Sequence, residues 1–383
     1  MATSSPLNSP SNAAATASLK KQSAGYLLIG TVALISTYAY LQRVWHPAYA
    51  LRWLTLSAAV FAYHLITLWR GLPRNRRATE IDLLPTFGPG TVLTLTRGLI
   101  FAMLAGFLLS PRPNGFWLLA WLPAILKIIA DFTDFFDGYL ARISDHATEL
   151  GLLLDEHFDG LGVLIVTLLA YQYGTVPWWY LLVGIARYLY LFGLWLRRRR
   201  SLPIYDLRPN VSRRGLAGLQ MGFTTAMLFP LFSPPGTTYT ATLFMLPFLA
   251  GFLYDWLTVS GQLGAPAAST VRLWNTVWRF VSHPLPLLLR GGVVIIMASW
   301  RPAISIAELV VLVMLGLGAA ARPIAVLALL LLGARLQSDL FTFAHAALLF
   351  FYTVILFVGS GSLSLWRPLD YLVIHRAGER HSS

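Results

Sequence analysis

The chain has 383 residues, 56% of them hydrophobic and only 12% charged, with 29 Lys and Arg against 16 Asp and Glu, for a formal charge of +13. That balance excludes an ordinary soluble globule and fits an all-α, polytopic membrane protein, because each spanning helix takes about 20 mostly apolar residues. The absence of cysteine excludes disulfides and thiol chemistry.

Residues 1–24 are rich in Ser, Ala and Pro and carry no apolar period, which predicts a disordered tail. A Ser-rich, acid-poor start also fits an organellar transit peptide, whereas Lys20 and Lys21 ahead of an apolar run fit a signal anchor. Twelve apolar runs follow, predicted as spanning helices over 25–42, 50–69, 91–109, 115–137, 150–172, 176–196, 215–233, 239–260, 282–300, 303–321, 323–337 and 340–359. The short eleventh run is a span, a re-entrant segment or part of a neighbour.

These runs group into blocks. Residues 25–84 hold two helices and a basic loop, 85–261 hold six helices, 262–281 are a connector, and 282–383 hold four more helices. In the connector, Val271, Trp274, Val277, Trp278 and Val281 recur three or four apart, as in a helix lying at the interface or an ordinary packed linker helix.

The basic residues are not spread as a nucleic-acid footprint. They gather in alternate loops: Lys20–Lys21, then Arg70 to Arg77, then Arg197 to Arg214, then Arg272 and Arg279, with Arg43 and Arg112 as exceptions. This is the positive-inside pattern; it places both termini in the cytoplasm and favours anionic headgroups and anionic substrates there.

The stretch from Asp131 to Gly160 holds eight of the sixteen acidic residues. Asp134 and Asp137 are three apart, and Asp155 and Asp159 are four apart, so each pair projects from one face of its helix. A short turn around ARISDHA makes the two helices antiparallel neighbours and brings four carboxylates together near the cytoplasmic mouth of a hairpin. Unpaired, they repel one another, and each costs several kcal/mol at membrane depth. Two hard divalent ions, Mg²⁺ or Mn²⁺, would relieve both penalties and form a template for displacement at phosphorus. Gly138, Ala141 and Gly151 leave room for a ligand or for close helix packing, and Arg142 adds a permanent cation suited to a diphosphate.

Asp134-x-x-Asp137-Gly138-x-x-Ala141-Arg142, eight residues, then Gly151-x-x-x-Asp155-x-x-x-Asp159 resembles the full signature of the CDP-alcohol phosphotransferase family. More loosely, GTVLTLTR ending at Arg97 resembles the family's first helix and IARYLYLFGLWLR with Arg187 its fourth. SRRGLAGLQ places Arg214 where members often carry Lys, although Ala217 departs from the usual Thr. The resemblance implies that Asp134, Asp137 and Asp155 hold the metal pair, with Asp159 as ligand and general base. It also implies that Gly138, Ala141, Arg142 and Gly151 line the CDP site, and that members are usually homodimers. Arg97 and Arg187 either serve this site or pair with structural carboxylates; Arg214 meets an acceptor phosphate or lipid headgroups. Asp131 reads as a supporting or structural acid, and His157 as a packing residue.

The implied reaction moves a phosphatidyl group from CDP-diacylglycerol to a polar alcohol, releasing CMP, with the active site on the cytoplasmic side of a bacterial inner membrane. The alternatives are CDP-choline or CDP-ethanolamine donating to diacylglycerol, and, in another class, a membrane transporter. Asp159 is followed by Gly160 and Leu161, not by the Asp-Lys usual in members that accept glycerol phosphate. The last block, with Arg290 in mid-helix and a closing GSGSLSLWRPLDYL, faintly resembles the DoxX-like membrane family. Arg290 is expected to pair with Glu308 or Asp339, or to snorkel.

Overall fold

A computed structural model describes residues 10–113, 117–206, 220–263, 276, 280, 284–300, 304–336, 339–340, 342–361 and 363–366. Each predicted apolar run contains a helix among the described residues, though with bounds that differ from those expected. The helices are α1 (Pro10–Val44), α2 (Pro47–Gly71), α3 (Pro89–Ala105), α4 (Trp117–Ile143), α5 (Glu149–Gln172), α6 (Leu181–Arg199), α7 (220–227), α8 (Gly236–Val259), α9 (Pro284–Ser299), α10 (Ile306–Leu317), α11 (Ala321–Arg335) and α12 (Phe343–Val358). The protein is an all-α integral membrane protein. Among the described residues, four segments are long and apolar enough to cross a bilayer by length and composition: Ser11–Val44, Pro47–Arg74, Trp178–Arg199 and Gly236–Val259. With 27 and 24 residues, α4 and α5 have the length but carry the acidic stretch.

The chain divides after Tyr173 into two compact units, one holding α1–α5 and the other α6–α12. The division falls within the six-helix block expected over 85–261. Most of the expected connector, 262–281, lies outside the described residues.

The N-terminal tail differs from the expectation. Residues 10–24, expected to be disordered, form the first turns of α1. Their Ala-rich composition favours helix, and their polar side chains are engaged by the segment before α3. Asn12 Oδ1 accepts from Leu83 N at 2.9 Å, while Gln22 accepts from Phe87 N at 3.0 Å and donates to Pro85 O at 3.0 Å. Leu19 is fully buried. A composition rule treats such residues as solvated, but tertiary hydrogen bonds give them partners.

Within the first unit α3 packs against α2, α4 and α5. It can be enclosed because its closest crossings are glycines. A Cβ added at Gly90 would lie 2.5 Å from Asp137 O on α4, and one at Gly98 would lie 2.7 Å from the Phe158 ring on α5. Larger residues there would push the helices apart. The α4–α5 hairpin closes through Asp145, whose φ of 51° is the left-handed conformation that Asp tolerates. Thr148 then caps α5, accepting from Gly151 N at 3.0 Å.

In the second unit Arg290 follows neither predicted pairing. Buried at 3% exposure, it donates to the backbone carbonyls of Leu315 (2.7 Å), Gly316 (2.6 Å) and Ser360 (3.0 Å). Glu308 and Asp339 instead take Arg335, each at 2.9 Å. Carbonyls in the last turn of a helix lack amide donors four residues on, and the five-donor guanidinium reaches two of them on α10 together with Ser360 O.

Candidate active site

The central group is Arg97, on α3 and 1% exposed. Its guanidinium reaches all four signature carboxylates. One terminal nitrogen contacts Asp134, and the other contacts Asp155 and lies 3.3 Å from both Asp137 Oδ2 and Asp159 Oδ1. The helical spacing explains the convergence: Asp134 and Asp137 share one face of α4, Asp155 and Asp159 share one face of α5, and α3 lies against both helices. Thr94, one turn before Arg97, donates to Asp137 Oδ2 at 2.9 Å and fixes that carboxylate.

Small residues set the spacing. Ala141 lies against Gly90, where an added Cβ would come within 2.7 Å of the Ala141 Cβ. An added Cβ on Gly151 would sit 3.2 Å from Thr91 Oγ1, also on α3. These two residues therefore let α3 approach both acidic helices. Gly138 lies beneath its own helix's Arg142, whose Nη1 would be 3.1 Å from a Cβ at that position.

Carboxylate oxygens of Asp134, Asp137 and Asp155 lie within 4.8 Å of one another, close enough to share a metal ion. Asp159 Oδ1 is buried and accepts no hydrogen bond among the described residues. Arg97 offsets one of four negative charges. An all-oxygen donor set with uncompensated charge suits a hard divalent cation such as Mg²⁺ or Mn²⁺, so the residues present fit such a group.

The predicted site residues thus separate into groups. Asp134, Asp137, Asp155, Asp159 and Arg97 are brought together, with Gly138, Ala141, Arg142 and Gly151 on the same two helices. Arg187 is half-buried on α6, in the other unit, and Arg214 lies outside the described residues. Asp131 pairs with the buried Lys127 one turn away, and His157 Nδ1 meets Tyr63 Oη at 3.0 Å.

Three contributors were missed. Thr94 has no sequence signal beyond standing three residues before Arg97. Lys127 was detectable as the i−4 partner of Asp131. The loop after α2 looked like ordinary cytoplasmic charge, yet it clamps the α4–α5 turn: Arg76 lies 3.4 Å from Glu149, and Arg77 lies 3.3 Å from Asp145 while also donating to its backbone oxygen at 3.0 Å.

Residues 90–253 match the family model for CDP-alcohol phosphatidyltransferase. The match covers none of the last four helices. Over 124 residues, 31% of this chain, it is 33% identical to proteins named putative cardiolipin synthase from Mycobacterium tuberculosis (strain ATCC 25618 / H37Rv) and Mycobacterium bovis. Over 71 residues, 18% of this chain and 37% of the relative, it is 40% identical to a CDP-diacylglycerol–glycerol-3-phosphate 3-phosphatidyltransferase of Bacillus subtilis (strain 168). The chain spans 54% of the length of the mycobacterial relatives. No solved structure matches it.

Proposed function

We propose that this protein transfers a phosphatidyl group from CDP-diacylglycerol to a polar alcohol, releasing CMP, in a reaction that depends on divalent metal. The observation that carries the reading is the convergence of Asp134, Asp137, Asp155 and Asp159 on Arg97 inside the matched domain. The relatives' names add support, since one names CDP-diacylglycerol as donor and glycerol 3-phosphate as acceptor.

In this mechanism Asp134, Asp137 and Asp155 would hold the metal, with Asp159 contributing. A bound divalent pair would supply positive charge to the diphosphate oxygens. Asp159 takes the proton of the acceptor hydroxyl. The acceptor oxygen bonds to the β-phosphorus, the bond from that phosphorus to the bridging oxygen breaks, and CMP departs with the electron pair. Arg142 and Gly138 serve the nucleotide, the first as a cation for its phosphates and the second by leaving space. Thr94 keeps Asp137 in position throughout.

The site faces the cytoplasm of a bacterial inner membrane in this reading. Arg76 and Arg77, which belong to the side rich in positive charge, are tied to the α4–α5 turn. At about 1.5 Å per residue, Asp137 and Asp155 lie only about 10–12 Å along their helices from that turn.

The test is CMP release by the full chain in nanodiscs supplied with CDP-diacylglycerol, Mg²⁺ or Mn²⁺ and a panel of alcohols, glycerol 3-phosphate included. Asp159→Asn should lower turnover by about 10²–10⁴ through loss of the base, with thermal unfolding preserved. Undiminished turnover in that variant would overturn the assignment, and release with none of the acceptors would overturn the transfer.

A further inference from the structure

Outside the acidic site, the second unit contains an apolar cavity of about 100 Å³ between α7 and α8 on one side and α11 and α12 on the other. Phe223 and Phe244, stacked at 4.4 Å, form one wall, and Leu330 and Leu349 contribute to the opposite one. Gly222 stands at its margin; a Cβ added there would meet nothing within 4 Å among the described residues.

One polar atom in this lining has no use within the fold. Thr237 is 3% exposed, and its Oγ1 has no hydrogen-bond partner among the described residues. The cause is positional. Thr240, one turn on, donates to the carbonyl of Gly236 at 2.8 Å, and Thr242 to that of Thr238 at 2.9 Å. Thr237 is the second residue of α8 and has no helical carbonyl four residues behind it. Buried hydroxyls are normally paired, all the more so in a membrane.

Water is a poor occupant. A buried water needs two to four polar partners, and Thr240 is already engaged. An empty cavity forfeits dispersion contacts along its whole lining. What matches is a chain of methylenes ending in a hydrogen-bond acceptor.

We propose that this cavity seats the ester-proximal methylenes of an acyl chain of an ester-linked membrane glycerophospholipid, the rest of the chain lying in the bilayer, with the ester carbonyl accepting a hydrogen bond from the Thr237 hydroxyl. The site belongs to a part of the chain that includes helices beyond the matched family domain, and it does not rest on the transferase reading.

The experiment reconstitutes the full chain into nanodiscs containing a trace of ester-linked phosphatidylglycerol with a photoreactive diazirine in its acyl chain, and maps the label by peptide mass spectrometry. The wild type should be labelled within 222–244 and 326–336. Gly222→Leu fills the space and should lose that label; Gly222→Ala should lose part of it. Gly251→Leu, at another glycine with nothing within 4 Å, should keep it, and thermal unfolding of each variant confirms that it is folded. An ether-linked analogue should label the wild type several-fold less than the ester, and Thr237→Val should erase that difference. Label found only elsewhere, or undiminished in folded Gly222→Leu and Gly222→Ala, would overturn the site. Equal labelling of the wild type by ester and ether would overturn the role of Thr237.

Discussion

Replacing Arg97 with glutamine removes the guanidinium that α3 places among four carboxylates. Removing one partner of a buried ion pair generally costs about 3–5 kcal/mol, because the other charge is left uncompensated. The exposures moderate that figure here. Asp134 and Asp155 have side chains 33% and 39% exposed and are partly screened by water, whereas Asp137 and Asp159 are at 10% and 24%. The loss should therefore lie near the lower end, ~3 kcal/mol. For a cooperative unit of roughly 150–250 residues this corresponds to a fall of roughly 6–12 °C in the unfolding temperature.

Metal should reverse much of it. A divalent ion at about 100 times its dissociation constant returns ~2.7 kcal/mol to the folded state. Arg97→Gln also removes a like-charged competitor for the same oxygens. The assay is tryptophan-monitored thermal unfolding of wild type and Arg97→Gln in EDTA and in saturating Mn²⁺. The variant should unfold at lower temperature in EDTA and gain more from Mn²⁺ than the wild type does. Equal unfolding temperatures in EDTA, or no additional gain from the ion, would refute the view that Arg97 and metal serve the same carboxylates.

Two further outcomes follow from the same geometry. Thr94→Val removes a buried hydrogen bond to Asp137, worth about 1.5–3 kcal/mol for a charged acceptor. It should lower stability in EDTA and raise the Mn²⁺ concentration giving half-maximal CMP release; an unchanged metal requirement would show that Thr94 does not position Asp137. Gly90→Ala places a methyl 2.5 Å from the Asp137 carbonyl oxygen, so α4 must shift, at a cost of about 1–3 kcal/mol. Turnover should fall, whereas Gly25→Ala, with nothing within 4 Å, should leave turnover unchanged.

Among the described residues, the hydrophobic periods located the helices and their order, because a long apolar run is visible in the sequence itself. The spacing of Asp134, Asp137, Asp155 and Asp159, with the short turn between them, likewise determined that four carboxylates would meet. Both rest on local geometry, which a linear pattern contains. Tertiary structure decided the rest. It placed Arg97, 37 residues before Asp134, at the centre of the acids, joined the basic loop at Arg76 and Arg77 to the hairpin turn, and folded residues 10–24 into helix by lending them distant partners. It also gave Arg290 backbone carbonyls and assigned Glu308 and Asp339 to Arg335. The reason is common to all of these. A polar side chain drawn out of water must find a partner, but which partner depends on the packing of segments far apart in the chain, and no local period records that packing.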